Sequence, residues 1–162
     1  MNLTERNMNQ LNIKQSRFRD ASWFNKLSEL QTPIIIGGAG GIGSWLSVLL
    51  ARVLPSELKM FVYDFDSVEE INMAGQLYGR SNIGDSKDGT LKKIVKEFSD
   101  VDVVEMNEKY DSDSLRSPIM FSAFDNMEAR KIMFEQWSKE TKDYPNGIFI
   151  DGRLLAEQFK IF

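Results

Sequence analysis

The stretch from Ile34 to Asp66 constrains the fold more than any other part of this sequence. Ile34–Ile36 is a run of β-branched residues, suited to a strand buried on both faces. It leads into Gly37–Gly43, where five of seven residues are glycine. Ile42 to Leu54 follows, with Trp45, Leu46, Leu49, Leu50 and Val53 in a helical apolar pattern that stops at Pro55. Met60–Phe65 reads as a second strand, ending at Asp64 and Asp66. Glycines between a strand and a helix let backbone amides approach phosphate oxygens, and the helix N-terminus favours the negative charge. Asp64 lies 21 residues after Gly43, where an acid accepts hydrogen bonds from a ribose. The unit implies a nucleotide site; a tight turn without a ligand is the competing reading.

The remaining pattern alternates strands and helices. Gly89–Phe98 predicts a helix, Val101–Met106 and Ile119–Phe124 strands, Met127–Trp137 a helix, and Ile148–Asp151 a strand, with Phe159–Phe162 starting another. Within Met127–Trp137, Met127, Ile132, Met133 and Phe134 are available for burial. Residues 67–87 form a long polar connection, a length that marks function or mobility. The fold expected is α/β: a Rossmann-like, doubly wound, mainly parallel sheet with helices on both faces. Residues 1–19 read as a polar N-terminal arm and 20–162 as a single domain, whose end at Phe162 reads as either a minimal form or a truncation. Asp20–Leu30 carries Trp23, Phe24, Leu27 and Leu30 at helical spacing.

Composition narrows the chemistry. The 162 residues include no cysteine and no histidine. Thiolate zinc sites, a cysteine nucleophile and the commonest general base are therefore excluded, and no zinc is expected. Carboxylates, Lys, Arg, backbone amides and a bound ion must carry any reaction. A net charge of −4 argues against bulk binding to nucleic acid or an anionic membrane. Leu30 to Ala51 has no charge, but its glycine run and Pro33 argue against a membrane helix. Met1 to Lys14 has no apolar signal core. The expectation is a soluble, cytoplasmic protein.

Several motifs then fall in order: GGAGGIGS at the loop, DFDSVEEINMAGQ from Asp64 to Gln76, IGDSK ending at Lys87, and FDN at 124–126 with Arg130 downstream. In this the chain, over about residues 30–162, resembles the ThiF/MoeB/ubiquitin-activating-enzyme family of adenylyltransferases. The resemblance implies ATP and Mg2+ as cofactors. It implies transfer of AMP to the C-terminal carboxylate of a small ubiquitin-like protein or peptide, with release of pyrophosphate, commonly by a homodimer. Carried over by position, Gly38, Gly40, Gly41 and Gly43 would lie under the phosphates. Asp64, with Asp66 beside it, would hold the ribose end, and Asn72, Gln76 and Lys87 would contact phosphate. Asp125 would ligate magnesium with Asn126 beside it, and Arg17 would reach from the arm into a partner subunit's site. The chemistry is self-consistent: a carboxylate is already a nucleophile, so positioning and charge neutralisation suffice. Taken alone, Lys87 is equally a solvated lysine and Asp125-Asn126 equally a helix cap.

The chain departs from the family pattern in two places. Gly75 stands where relatives carry an arginine before the glutamine, and glycine cannot clamp phosphate as a guanidinium does. Arg80, five residues on, is the next arginine. The absent cysteines exclude the zinc-binding CxxC pairs and the thioester or persulfide step of some relatives. Two alternatives follow: a non-catalytic nucleotide-binding or interaction module of the same fold, and, from the glycine loop and Asp64 alone, an NAD(P)-dependent oxidoreductase. Trp23, Phe24 and Trp45 would serve an interface or the core, with the core favoured.

Overall fold

The computed structural model describes residues 32–142, 146–155 and 158–161. The arm 1–19 with Arg17, and the expected 20–30 helix with Trp23 and Phe24, lie outside the described residues.

The chain runs β1 (Ile34–Gly37), α1 (Gly43–Val53), β2 (Lys59–Tyr63), α2 (Lys87–Phe98), β3 (Asp102–Glu105), β4 (Ile119–Ser122), α3 (Met127–Glu140), β5 (Ile148–Leu155) and β6 (Gln158–Ile161). One sheet of order β3-β2-β1-β4-β5-β6 holds all six described strands. The first five are parallel; β6 is antiparallel to β5. The sheet is therefore the mainly parallel, doubly wound α/β sheet that the alternating pattern predicts.

Strand registers set the location of the site. Gly37 pairs with Tyr63 on one side and Ser122 on the other, and Ser122 pairs with Asp151. The carboxyl ends of β1, β2, β4 and the middle of β5 thus stand level. The strand order reverses direction between β1 and β4, and in such sheets ligands bind in the crevice beyond the carboxyl ends at that point.

Alternating side chains of the central strands feed two cores. Ile34, Ile36, Met60, Val62, Ile119 and Phe121 pack with Val48 and Ala51 of α1 and Leu91 and Val95 of α2. On the opposite face Ile35, Tyr63 and Met120 pack with Met133 of α3. Burying each of these aliphatic side chains stabilises the fold by about 1.5–3 kcal/mol. With both its faces covered, β1 is the most deeply set strand, as its unbroken β-branched run requires.

The structure departs from the sequence expectation in a helix start, in the 67–87 connection and in the place of Trp45. The second helix begins at Lys87, two residues before Gly89, so Lys87 opens a helix and does not end a loop. Asp88, fully buried in its first turn, accepts from the amides of Gly89 and Asn107, which secures that early start. The 67–87 connection is built on two short 3-10 turns, Glu70–Ala74 and Arg80–Asn82, and its ends are joined by a Ser67–Ser86 bridge. Finally, Trp45 is not core: it is 50% exposed, and its indole Nε1 donates to the Gly75 carbonyl at 3.2 Å. On α3, Met133 is fully buried while Met127 and Phe134 remain exposed.

Candidate functional site

A cavity of about 330 Å³ opens at the β1/β4 crevice, in the size range of small-molecule sites. Its lining brings together Gly38, Gly40 and Gly41 of the glycine loop, Asp64 and Asp66 after β2, Gln76 and Lys87 of the following segment, and Asp125 and Asn126 after β4. Phe65, Arg130 and Leu154 complete three of its walls.

The loop owes its shape to two glycines. Gly38 has φ +90°, and a Cβ there would lie 2.8 Å from the Ala123 carbonyl oxygen. At Gly43 a Cβ would lie 1.8 Å from the Gly38 carbonyl oxygen. Gly43 is thus the contact point between loop and helix; it stands behind the cavity and does not line it. The loop is also held from outside: the Tyr78 hydroxyl donates to the Ala39 carbonyl at 2.6 Å and lies 3.3 Å from that of Lys87. Burial pushes the Tyr78 phenol well above its ordinary range, so it stays a neutral donor.

Asp64 is the best-anchored acid. One carboxylate oxygen accepts from the Ala39 amide at 2.7 Å, and the other from the Asp66 amide at 2.9 Å. Burial raises its pKa above the usual carboxylate value, against the lowering pull of those two amides and of Lys87. This carboxylate ties the glycine loop to the end of β2 and still lines the cavity, where its remaining lone pairs can receive hydroxyl donors. Next to it, the exposed Phe65 ring carries the Lys109 ammonium 5.0 Å from its centroid.

Lys87 Nζ sits 2.9 Å from the Asp66 carboxylate, with the lysine side chain 9% exposed and the aspartate 51%. Any anion entering the cavity would share this ammonium with Asp66. Gln76 lines the wall near Gly40, and its Oε1 is buried with no hydrogen-bond partner among the described residues. Such an acceptor calls for a donor from ligand or water.

Across the crevice, Asp125 is exposed on the rim just before α3. Asn126 caps that helix, its Oδ1 accepting from the Ala129 amide at 2.8 Å, so its carbonyl end is committed to the backbone while the residue still lines the cavity. Among the described residues no cluster of three or more acidic side chains is poised for a metal. Asp125 is thus a single exposed carboxylate on the rim, of the kind magnesium uses when other oxygens and water complete its shell.

Asn72 is not brought to the cavity. Its Oδ1 accepts from the Glu69 amide at 2.8 Å, capping the first 3-10 turn. Arg80 opens the second turn and also stands outside the lining. Two features had no local signal in the sequence: the Tyr78 brace, and the contact of Arg130 with Asp151 across the β4–β5 boundary.

Fold and site together define an α/β domain of the Rossmann type, with the glycine loop, the anchored acid after β2 and a second acid after β4 around one crevice. The ThiF family profile matches residues 9–148, and the chain belongs to the ThiF family. The fold is shared with TcdA (CsdL) at TM-score 0.70 and 18% identity, over 89% of this chain and 60% of that one. It is shared with E. coli tRNA N6-threonylcarbamoyladenosine dehydratase, TcdA, in complex with ATP, at 0.71 and 17%, over 93% and 63%. E. coli MccB with AMPCPP and MccA aligns at 0.67 and 20%, over 86% and 41%. The chain thus spans less than two thirds of each of these proteins. Curated protein sequences give no significant match. No helix among the described residues is long and apolar enough to cross a membrane.

Proposed function

We propose that this chain binds ATP and activates a C-terminal carboxylate, on a small ubiquitin-like protein or a peptide, by adenylylation. The observation that carries the reading is the convergence of Gly38–Gly41, Asp64, Lys87 and Asp125 on one crevice at the reversal of strand order. Membership of the ThiF family supports it, as do the folds shared with an ATP-bound TcdA and with MccB bound to AMPCPP and MccA.

In this reading the ribose hydroxyls donate to Asp64 and the phosphates lie over the amides of Gly38–Gly41, with Lys87 and Gln76 beside them. Asp125, with Asn126 next to it, holds magnesium, which when bound spreads the charge of the phosphate oxygens. A carboxylate oxygen of the acceptor attacks the α-phosphorus; the bond from the α-phosphorus to the bridging oxygen breaks, and pyrophosphate leaves with the electron pair. No side chain has to remove a proton, so a chain without histidine or cysteine can perform the step. With no cysteine, this chain forms no thioester of its own. The reading includes a single domain over 20–162, a homodimer with Arg17 reaching the partner subunit's site, and a cytoplasmic setting where ATP is abundant.

ATP–pyrophosphate exchange in the presence of carboxylate-terminated acceptor peptides tests the proposal. Exchange is expected with the wild-type chain and an at least hundredfold loss in Asp125→Ala. An undiminished rate in that variant would remove Asp125 from the mechanism. Gly75 and the existing Lys87–Asp66 pair favour a second reading, a non-catalytic nucleotide-binding module. That reading predicts ATP binding with no exchange for any acceptor.

A further inference from the structure

The crevice needs positive charge at its phosphate end, and Gly75 supplies none. Among the described residues its lining contains two cations, Lys87 and Arg130. Lys87 is already paired with Asp66 on the β2 side. Arg130 stands on the other side, in the first turn of α3, with Asp125 and Asn126 in the same wall.

Arg130 is an unusual surface for a cavity to present. It is 8% exposed, and its Nη1 donates both to the Asp151 carboxylate and to the Gly152 carbonyl oxygen, the latter at 3.0 Å. Asp151, 5% exposed, uses its second oxygen to accept from Arg153 Nε at 2.8 Å. Two guanidinium groups thus share one carboxylate. Both described bonds of Arg130 come from a single nitrogen. A guanidinium has five N–H donors in a fixed fork, so the Nη2 and Nε hydrogens remain for a ligand. Anchoring by β5 holds this fork without further loss of side-chain freedom, and the adjoining helix N-terminus adds to the field favouring an anion.

We propose that Arg130, held from behind by Asp151 and Arg153, binds the outer phosphates of the nucleotide and replaces the arginine absent at Gly75. The inference rests on the ATP reading of the crevice. It makes the site selective by phosphate number: AMP engages the loop and Asp64, whereas ADP and ATP also engage Arg130.

Calorimetric titration of the whole chain with AMP, ADP and ATP tests this. The variants are Arg130→Met, Arg130→Lys, and Arg130→Met combined with Asp151→Leu; the last keeps no buried unpaired carboxylate if the single change unfolds the protein. The preference for ATP over AMP is expected to shrink at least tenfold in both methionine variants and to return in part with lysine, while AMP affinity changes less than threefold. Equal losses for AMP and ATP would make Arg130 a structural pin between α3 and β5, and overturn the proposal. Unchanged ATP affinity would overturn it as well, leaving the nucleotide reading intact. A wild-type chain that binds no ATP would overturn both.

Discussion

Asp64 is where the account can be tested most quantitatively. Its two carboxylate oxygens serve two backbone amides, Ala39 at 2.7 Å and Asp66 at 2.9 Å, and also face the cavity. Asp64→Asn keeps the shape but puts an NH2 against one of those two N–H groups. Leaving that buried donor without an acceptor costs about 1–3 kcal/mol, partly offset because a desolvated charge is removed. For a ligand, a ribose hydroxyl loses a charged acceptor worth about 1.5–3 kcal/mol, which is roughly a 10- to 150-fold weaker Kd. Titrating wild type and Asp64→Asn with ATP and with 2′,3′-dideoxy-ATP separates the two effects. Removal of the hydroxyls is expected to weaken binding to the wild type and to have little further effect on the variant. Equal losses for both nucleotides in the variant would refute a ribose contact and leave Asp64 as a loop brace only.

The same residue sets a pH dependence. Burial raises the Asp64 pKa above its unfolded value, so the ionised form is the disfavoured one in the fold. The associated stability is fully present below the ordinary carboxylate value and is lost as pH rises through the raised folded value. Ribose binding has the opposite sign, since it needs the ionised acceptor. ATP affinity should therefore start to fall, on acidification, above the ordinary aspartate range, and Asp64→Asn should flatten that fall.

Two glycine substitutions give opposite expectations. Gly43→Ala forces a Cβ to within 1.8 Å of the Gly38 carbonyl oxygen, a backbone atom that cannot swing away, and should destabilise by at least about 1–3 kcal/mol, seen as a lower Tm in a thermal melt. An unchanged Tm would mean that loop and helix are not in contact there. Gly75→Arg meets no atom within 4 Å of its new Cβ, and its φ of −146° is negative. It should leave stability within about 0.5 kcal/mol and tighten ATP binding roughly 2- to 5-fold by titration, the increment of a partly exposed ion pair.

The first βαβ unit was legible because its signals are local. A β-branched run means a two-sided strand, and Gly43 is enforced by a collision with the Gly38 carbonyl oxygen only five residues back, although the collision that enforces Gly38 comes from Ala123, far along the chain. The start of α2 was misjudged because Gly89 looks like a boundary, whereas Asp88 secures the turn through Asn107, far along the chain. Trp45 was misassigned because α1 is apolar around much of its circumference, so its pattern does not say which face meets the sheet. The acids of the site stand just beyond strand ends and Lys87 opens a helix, places a motif can mark. Arg130 and Asp151 meet only because β4 and β5 are neighbours, a tertiary fact with no local spacing. Asn72 shows the reverse: a motif position whose side chain is used by the backbone turn it sits in.

The central claim is an ATP site at the β1/β4 crevice, and a calorimetric titration of this chain with ATP–Mg2+, set beside NADH under the same conditions, tests it most directly. The account predicts saturable one-to-one binding of ATP and no comparable binding of NADH. NADH binding in the absence of ATP binding would contradict it and return the glycine loop and Asp64 to a dinucleotide site.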